Sequence, residues 1–365
     1  MNASDNTAST ANPDRAAERL AWVRAILGDP SLLLESASAD ASFRSYWRTV
    51  HDGQSWIVMD SPPALEDPQP WLEIGTRLQR AGLHVPAVRA HDVARGLLLI
   101  EDLGARLYLP ALQENRRQTD SVDALYGEAM DALLRLQTAT DTGGMAAYDE
   151  AFLRRELAIL PEWFLGRHLG HAPNADEARV LDAAFDVLLH SALEQPRCFV
   201  HRDFHSRNLL IVDHAIAAED PNLPVLPMLT SPGIIDFQGA LLGPLTYDLA
   251  SLLRDCYIAW DDQRVYDWVE TYRQRLLHAG LISAKIESTR FLRWFDLIGL
   301  QRHLKVLGIF CRLWYRDGKR GYLDDLPLVY RYVMEVTGRY PELAELRGLI
   351  ERAVGDRDLT APTQA

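Results

Sequence analysis

His201, Asp203, Asn208 and Asp236 are the residues whose types and spacing could do chemistry. The first three lie in C-F-V-H-R-D-F-H-S-R-N-L-L-I-V, which begins at Cys198, and the fourth in G-I-I-D-F-Q, which begins at Gly233. Apolar runs flank them: Cys198 to Val200, Leu209 to Val212 and Ile234-Ile235 each read as a short buried strand. Carboxylates and an amide at the ends of rigid strands offer hard oxygen atoms to a divalent cation. Phosphoryl transfer needs this set. Asp203 would orient an attacking hydroxyl and accept its proton, while Asn208 and Asp236 would hold Mg²⁺ against nucleotide phosphates. The transition state spreads negative charge over phosphoryl oxygens, so charge placement matters more there than covalent chemistry.

Two other readings use the same residues. Asp and Asn are common in turns for backbone reasons alone. His201, Asp203 and His205 could instead be the ligands of a zinc hydrolase, since alternation puts them on one side of an extended segment. That second reading gives Asn208 and Asp236 no task. The ordered spacing H-R-D-x-x-x-x-N, followed by D-F-Q, resembles the catalytic and metal loops of the protein-kinase-like fold.

Composition sets the bounds. The chain has 365 residues, 48% of them hydrophobic and 24% charged, as in an ordinary globular protein large enough for about two domains. A formal net charge of -13 disfavours sequence-independent nucleic-acid binding. Cys198, Cys256 and Cys311 are too few and scattered for a disulfide framework; they read as buried apolar residues in a reducing compartment. The polar N-terminus has no signal-peptide pattern, and no apolar run is long enough to span a membrane. The expectation is a cytoplasmic protein.

The elements that must position the four residues follow in order. Residues 1–12 are expected to be disordered, and Pro13-Asp14 opens a helix carrying Leu20, Val23, Ile26 and Leu27. Leu32 to Glu35, S-Y-W-R-T-V and S-W-I-V-M-D read as three strands, the last two joined by an H-D-G-Q turn. The small residues between the first two strands, with Ser42 among them, would let backbone N–H groups approach phosphate. Met59 sits where protein kinases carry a lysine, and no lysine precedes Lys285. Arg44 and Arg48 are therefore the candidate phosphate contacts. A helix from Trp71 to Arg80 and two further strands lead to E-D-L-G at 101–104. There the backbone of Glu101 and Leu103 would meet an adenine edge. Helical periodicity follows over Ala111–Asn115, Ser121–Ala139, Phe152–His168 and Ala175–Glu194. The proline-rich stretch before Gly233 reads as a surface loop. Asp248 reads as a structural carboxylate at a helix start. The reading is an α+β, protein-kinase-like, two-lobed fold. Its N-lobe, a small antiparallel sheet with one helix, covers 13–104; its larger helical C-lobe covers 105–355; 356–365 form a disordered tail.

H-R-D-F-H-S-R-N, I-D-F-Q-G-A and G-P-L-T-Y-D-L-A resemble the aminoglycoside phosphotransferase and choline-kinase-like small-molecule kinases. S-F-R-S-Y-W-R, M-D-S-P-P and Q-R-H-L-K-V-L-G-I-F are similar to a narrower group. That group is the bacterial kinases of cell-wall recycling that phosphorylate the anomeric hydroxyl of N-acetylmuramate and N-acetylglucosamine. The resemblance spans about residues 15 to 355. It implies ATP and Mg²⁺ as cofactors, Asp203 as the catalytic aspartate, and Asn208 and Asp236 as metal ligands. It also implies an amino-sugar substrate in peptidoglycan recycling, whose 1-phosphate product would pass to a uridylyltransferase. Met59 departs from the broader family but fits the narrower group. A kinase of another small alcohol, or a nucleotide-binding scaffold without catalysis, is the alternative. Sugars need aromatic platforms, and Trp294, Phe295, Trp314 and Tyr315 are available near the C-terminus. The carboxylate of N-acetylmuramate needs a cation, for which Arg254, Arg302, Lys305 and Lys319 are candidates. His205 could hydrogen-bond the acceptor or Asp203.

Overall fold

The protein is described here from a computed structural model that covers residues 13–39, 43–212 and 230–362. The expected disordered N-terminus (1–12), Ser42 and most of the proline-rich insert lie outside the described residues. The chain divides into two compact units, Met1–Tyr108 with Asn208–Gly239, and Leu109–Arg207 with Ala240–Ala365. Among the described residues no helix is long and apolar enough to cross a membrane.

In the first unit, α1 (Pro13–Leu27) covers one face of a five-stranded antiparallel sheet. The strands are β1 (Glu35–Ala39), β2 (Ser45–His51), β3 (Gln54–Asp60), β4 (Val88–Asp92) and β5 (Leu97–Glu101), in the order β1-β2-β3-β5-β4. Asp52 and Gly53 turn β2 into β3 with φ of 50° and 76°, the left-handed pair a two-residue hairpin demands. Period-two alternation sends Trp47, Trp56, Val58, Leu97 and Leu99 to the face where Trp22 and Val23 of α1 pack. Asp60 lies on that face too, 2% exposed, and receives Arg19 at 2.7 Å and Arg15 at 2.6 Å. Helix α2 (Gln69–Arg80) buries Trp71, Ile74, Gly75 and Leu78, one stripe at helical spacing. A short hairpin, β7 (Leu209–Leu210) with β8 (Gly233–Ile234), belongs to the same unit.

The second unit is mostly helical: α3 (Tyr108–Glu114), α4 (Thr119–Ala139), α5 (Glu150–Leu157), α6 (Ala175–Leu193), α7 (Tyr247–Leu253), α8 (Asp262–His278), α9 (Ser288–Tyr315), α10 (Leu326–Arg339) and α11 (Ala344–Val354). Asn174 and Glu177 close a reciprocal capping box on α6. Helix α9 is the axis of the unit. It is buried almost without a break from Trp294 to Gly308 and packs against α6, α7, α8 and α10. The paired strands β6 (Arg197–Val200) and β9 (Leu241–Pro244) complete the unit.

Four expectations need correction. The first strand begins at Glu35 rather than Leu32. The apolar run before it is a connection in which Leu32 is buried and Leu33 is 70% exposed, whereas the small residues read as a turn pair through their backbone with β2. The single helix expected over Phe152–His168 is α5 followed by a π-helical stretch, Leu160–His168, because Pro161 has no N–H to continue the α-helical ladder. The three strands around the chemistry-bearing residues do not all neighbour one another: β7 pairs with β8, whereas β6 pairs with β9. Finally, Leu359, expected in a loose tail, is buried, and its carbonyl lies 3.0 Å from His168 Nε2.

Helix α9 passes the π-helical stretch so closely that a Cβ on Gly308 would lie 2.5 Å from the Ile159 carbonyl oxygen. Gly308→Ala is expected to destabilise the protein by about 1–3 kcal/mol. Urea unfolding followed by circular dichroism measures this.

Candidate active site

The loop after β6 is held by carboxylates, beginning with one on α7. Asp248 accepts the backbone N–H of His201 at 2.6 Å and of Arg202 at 3.0 Å. Those two bonds support Arg202 at φ 79°, a left-handed conformation that costs a non-glycine residue about 1–3 kcal/mol. Asp248 was expected to satisfy its own helix start; it serves the loop instead. It is wholly buried, and burial pushes its carboxyl up to about 7, against the pull of the two N–H groups. Asp255 holds the other end of the loop, accepting from the Ser206 N–H at 3.0 Å, from the Ser206 hydroxyl and from the Tyr257 N–H at 3.1 Å.

Asp203 sits between these anchors, half-buried. Burial alone would raise its carboxyl; the charges of Lys305, Arg302 and Arg202 outweigh burial and hold it below the usual carboxylate range. The carboxylate is therefore ionised at neutral pH, as a group that accepts a proton must be. Arg202 and Lys305 are tied to Glu156, at 2.6 Å and 3.2 Å, and Lys305 also donates to the Tyr247 hydroxyl at 2.9 Å. His205 meets the Tyr257 ring edge-on, with centroids 5.4 Å apart. Burial lowers its imidazole below the ordinary range, so it is neutral.

In the first unit, the β7–β8 hairpin brings Asn208 and Asp236 together. The Ile235 N–H donates to the Asn208 carbonyl at 3.1 Å, and the Asn208 side-chain amide lies 3.4 Å from Asp236 Oδ2. Gln238 donates to Asp236 Oδ1 at 2.6 Å. Asp236 has a φ of 64°, left-handed like Arg202. Phe237, fully buried, faces Trp71 of α2 at 5.1 Å and lies against Gly75, which fixes the next residue in the chain. Gly233 has no room for a side chain: a Cβ would lie 2.8 Å from Val212 and 2.9 Å from Leu103. Two hard oxygen-bearing side chains on one hairpin fit a Mg²⁺ ion; Asn208 and Asp236 would hold it, and it would bring positive charge to that position. Among the described residues, no three His, Cys, Asp or Glu side chains gather as a metal site, so the zinc-hydrolase reading finds no ligand cluster.

The other expected site residues fall as follows. Arg44 is buried and paired with Glu66, and Arg48 forks onto Asp102 at 2.6 and 3.0 Å, so phosphate would have to compete for either. The Glu101 N–H donates to the Ala87 carbonyl at 2.8 Å, and the Leu103 side chain packs with Leu210 and Val212. Trp294 is 1% exposed with its indole N–H on Glu194, which makes it core rather than an open sugar platform. Arg254 is paired with Asp262 at 2.6 Å. Sequence reasoning passed over Glu156, Asp255 and His84. A lone acidic or histidine side chain inside a helical or apolar pattern carries no local signal of its distant partners.

His84 has the widest reach of the three. Its Nδ1 lies 2.6 Å from the Thr230 carbonyl and its Nε2 3.0 Å from Glu101, while its own carbonyl accepts the Ile234 N–H at 2.8 Å. It thus joins the end of β5 to the strand that leads to Asp236. Burial lowers its pKa, but Glu101 and the Thr230 carbonyl outweigh burial and keep it above the ordinary 6.5. A raised histidine contributes stability that is full below about 6.5 and is lost as pH rises through the folded value. Urea unfolding from pH 5 to 9 is expected to show that alkaline decline. In His84→Gln the decline should flatten and stability at pH 6 fall by about 1–3 kcal/mol.

Known proteins resemble this chain in sequence and in fold. The family model described as "Phosphotransferase enzyme family" matches residues 34–292. The N-acetylmuramate/N-acetylglucosamine kinase of Pseudomonas aeruginosa is 42% identical over 322 residues, 88% of this chain and 88% of the relative. The protein of the same name from Neisseria meningitidis is 37% identical, covering 93% and 96%. Among solved structures, an ADP-bound aminoglycoside phosphotransferase has a TM-score of 0.57 at 14% identity, covering 88% of this chain and 98% of that one. A choline/ethanolamine kinase family protein from Mesorhizobium loti has 0.58 at 13% identity, covering 92% and 99%. At such identities the likeness is one of fold, and the fold is protein-kinase-like. A β-sheet unit with the D-F-Q hairpin, a helical unit with the H-R-D loop, and relatives matched over most of their length lead to one conclusion: the chain belongs to the phosphotransferase enzyme family.

Proposed function

We propose that this protein is an ATP-dependent kinase that phosphorylates the anomeric hydroxyl of N-acetylmuramate and N-acetylglucosamine, giving the sugar 1-phosphate. The observation that carries the reading is its 42% identity, over 88% of both chains, to a kinase of these two sugars. Asp203 orients the C1 hydroxyl and accepts its proton, as its ionised, half-buried carboxylate allows. Asn208 and Asp236 hold Mg²⁺, which supplies positive charge to the phosphate oxygens. The small residues around Ser42, with Arg44 and Arg48, face the phosphates, and the backbone at Glu101 and Leu103 takes the adenine. His205, Arg302 and Lys305 belong to the acceptor side. Met59, with no exposed surface, leaves β3 without the kinase lysine, so arginine, metal and backbone share the task of neutralising the nucleotide. We place the reaction in the cytoplasm, in peptidoglycan recycling, with the product consumed by a sugar-1-phosphate uridylyltransferase.

The test is turnover of both sugars with ATP and Mg²⁺, with the phosphorylated position read by ³¹P and ¹³C NMR. Choline, homoserine and an aminoglycoside serve as competing acceptors. Efficient turnover of one of those three, beside none of the amino sugars, overturns the substrate. Phosphate on an oxygen other than O1 overturns the position. Asp203→Ala is expected to lower kcat by roughly 10²-fold or more, with the fold retained.

A further inference from the structure

Arg302 stands apart among the cations whose charge Asp203 feels. Lys305 and Arg202 share the Glu156 carboxylate. Arg302, on α9, is 4% exposed, and among the described residues it forms no ion pair within 4 Å. Its one hydrogen bond runs from Nη1 to the sulfur of Cys256, at 3.1 Å. A guanidinium has five N–H donors, so four remain unclaimed. The two carboxylates whose charge reaches it, Asp255 and Asp203, both lie beyond ion-pair distance. Asp255 is spent on the Ser206 and Tyr257 N–H groups. A second buried group beside Asp203 is also unclaimed: Nδ1 of His205, with no hydrogen-bond partner among the described residues. Buried polar groups are normally satisfied, and a buried unpaired charge is costly. A guanidinium with one hydrogen bond and no ion pair, in the same unit as an unclaimed imidazole nitrogen next to Asp203, points to a site completed by a ligand.

We infer that Arg302 is the carboxylate-reading residue of the acceptor site and receives the lactyl carboxylate of N-acetylmuramate, while His205 hydrogen-bonds the neighbouring polar substituent of the ring. This rests on the amino-sugar reading above and deepens it. The ligand is an anion because a guanidinium fork matches a carboxylate with two parallel hydrogen bonds. The acceptor is preferred to the nucleotide as the source of that anion because Arg302 shares its unit with Asp203, which holds the acceptor alcohol. The residues assigned to the phosphates lie in the other unit. The lactyl ether sits two ring carbons from C1. A cation that feels Asp203 without touching it suits that separation. N-acetylglucosamine has a hydroxyl there and leaves Arg302 without its anion, so the two sugars report on the residue differently.

The experiment is the ratio of kcat/KM for N-acetylmuramate to that for N-acetylglucosamine, in wild type and in Arg302→Gln. Both sugars share whatever Asp203 loses with the charge; the ratio isolates the carboxylate. The ratio is expected to fall about 10-fold or more, mostly through KM for N-acetylmuramate. Arg302→Lys, which keeps charge without the fork, should lie between. The methyl ester of N-acetylmuramate tests the same contact without a mutation. Wild type should prefer the acid to the ester by a similar factor, and Arg302→Gln should treat the two alike. An unchanged ratio, or wild-type indifference between acid and ester, overturns the inference while leaving the kinase intact. Failure of wild type to phosphorylate either sugar overturns the proposed function and this inference with it.

Discussion

One buried carboxylate fixes the chemistry-bearing loop of the helical unit. Asp248 gives up solvation entirely and accepts two consecutive backbone N–H groups, from His201 and Arg202. Without that acceptor the two N–H groups would be orphaned in the interior, and nothing would repay the left-handed turn at Arg202. The turn sends the chain into Asp203, and Asp255 catches the far end at Ser206. The loop is thus held through its backbone at both ends.

The same economy appears in the sheet unit. Asp236 is a second left-handed non-glycine residue, held by a two-strand ladder, by the burial of Phe237 next to it and by Gln238 on its carboxylate. Strain of this kind persists only where the surroundings over-determine it. Each of the two loops carries one such residue at its turn. Electrostatics follows a matching plan. Glu156 pairs with Arg202 and Lys305 as a buried hub, and the charge of both cations helps to hold the Asp203 carboxyl below its usual range.

Much of this was legible in the residues. The three oxygen-bearing side chains follow or precede apolar runs, and the H-D-G-Q turn, the helix read over Trp71–Arg80 and the long periodic helices follow from alternation, turn chemistry and spacing. Partnership was not legible. That β6 pairs with β9 and β7 with β8 depends on long-range backbone bonds that short apolar runs do not encode. Ser36 to Ala39 form a strand through their backbone although their side chains carry no strand signal. Asp248 was visible as structural but not as the loop's acceptor, since its partners lie 47 and 46 residues away. Glu156, Asp255 and His84 had no local pattern to announce them.

The sheet unit is discontinuous: Asn208–Gly239 belongs with Met1–Tyr108, and nearly a hundred residues of the other unit intervene. On a ribosome the chain emerges from its N-terminus, so β1 to β5 are available long before the hairpin that completes their unit. Until that hairpin arrives, Leu103 and Leu107 lack Leu210, Val212 and Ile235 to cover them, and the His84–Glu101 pair lacks the Thr230 carbonyl. Nascent chains shorter than about residue 239 must therefore carry an unfinished sheet unit, whose apolar side is open to chaperones.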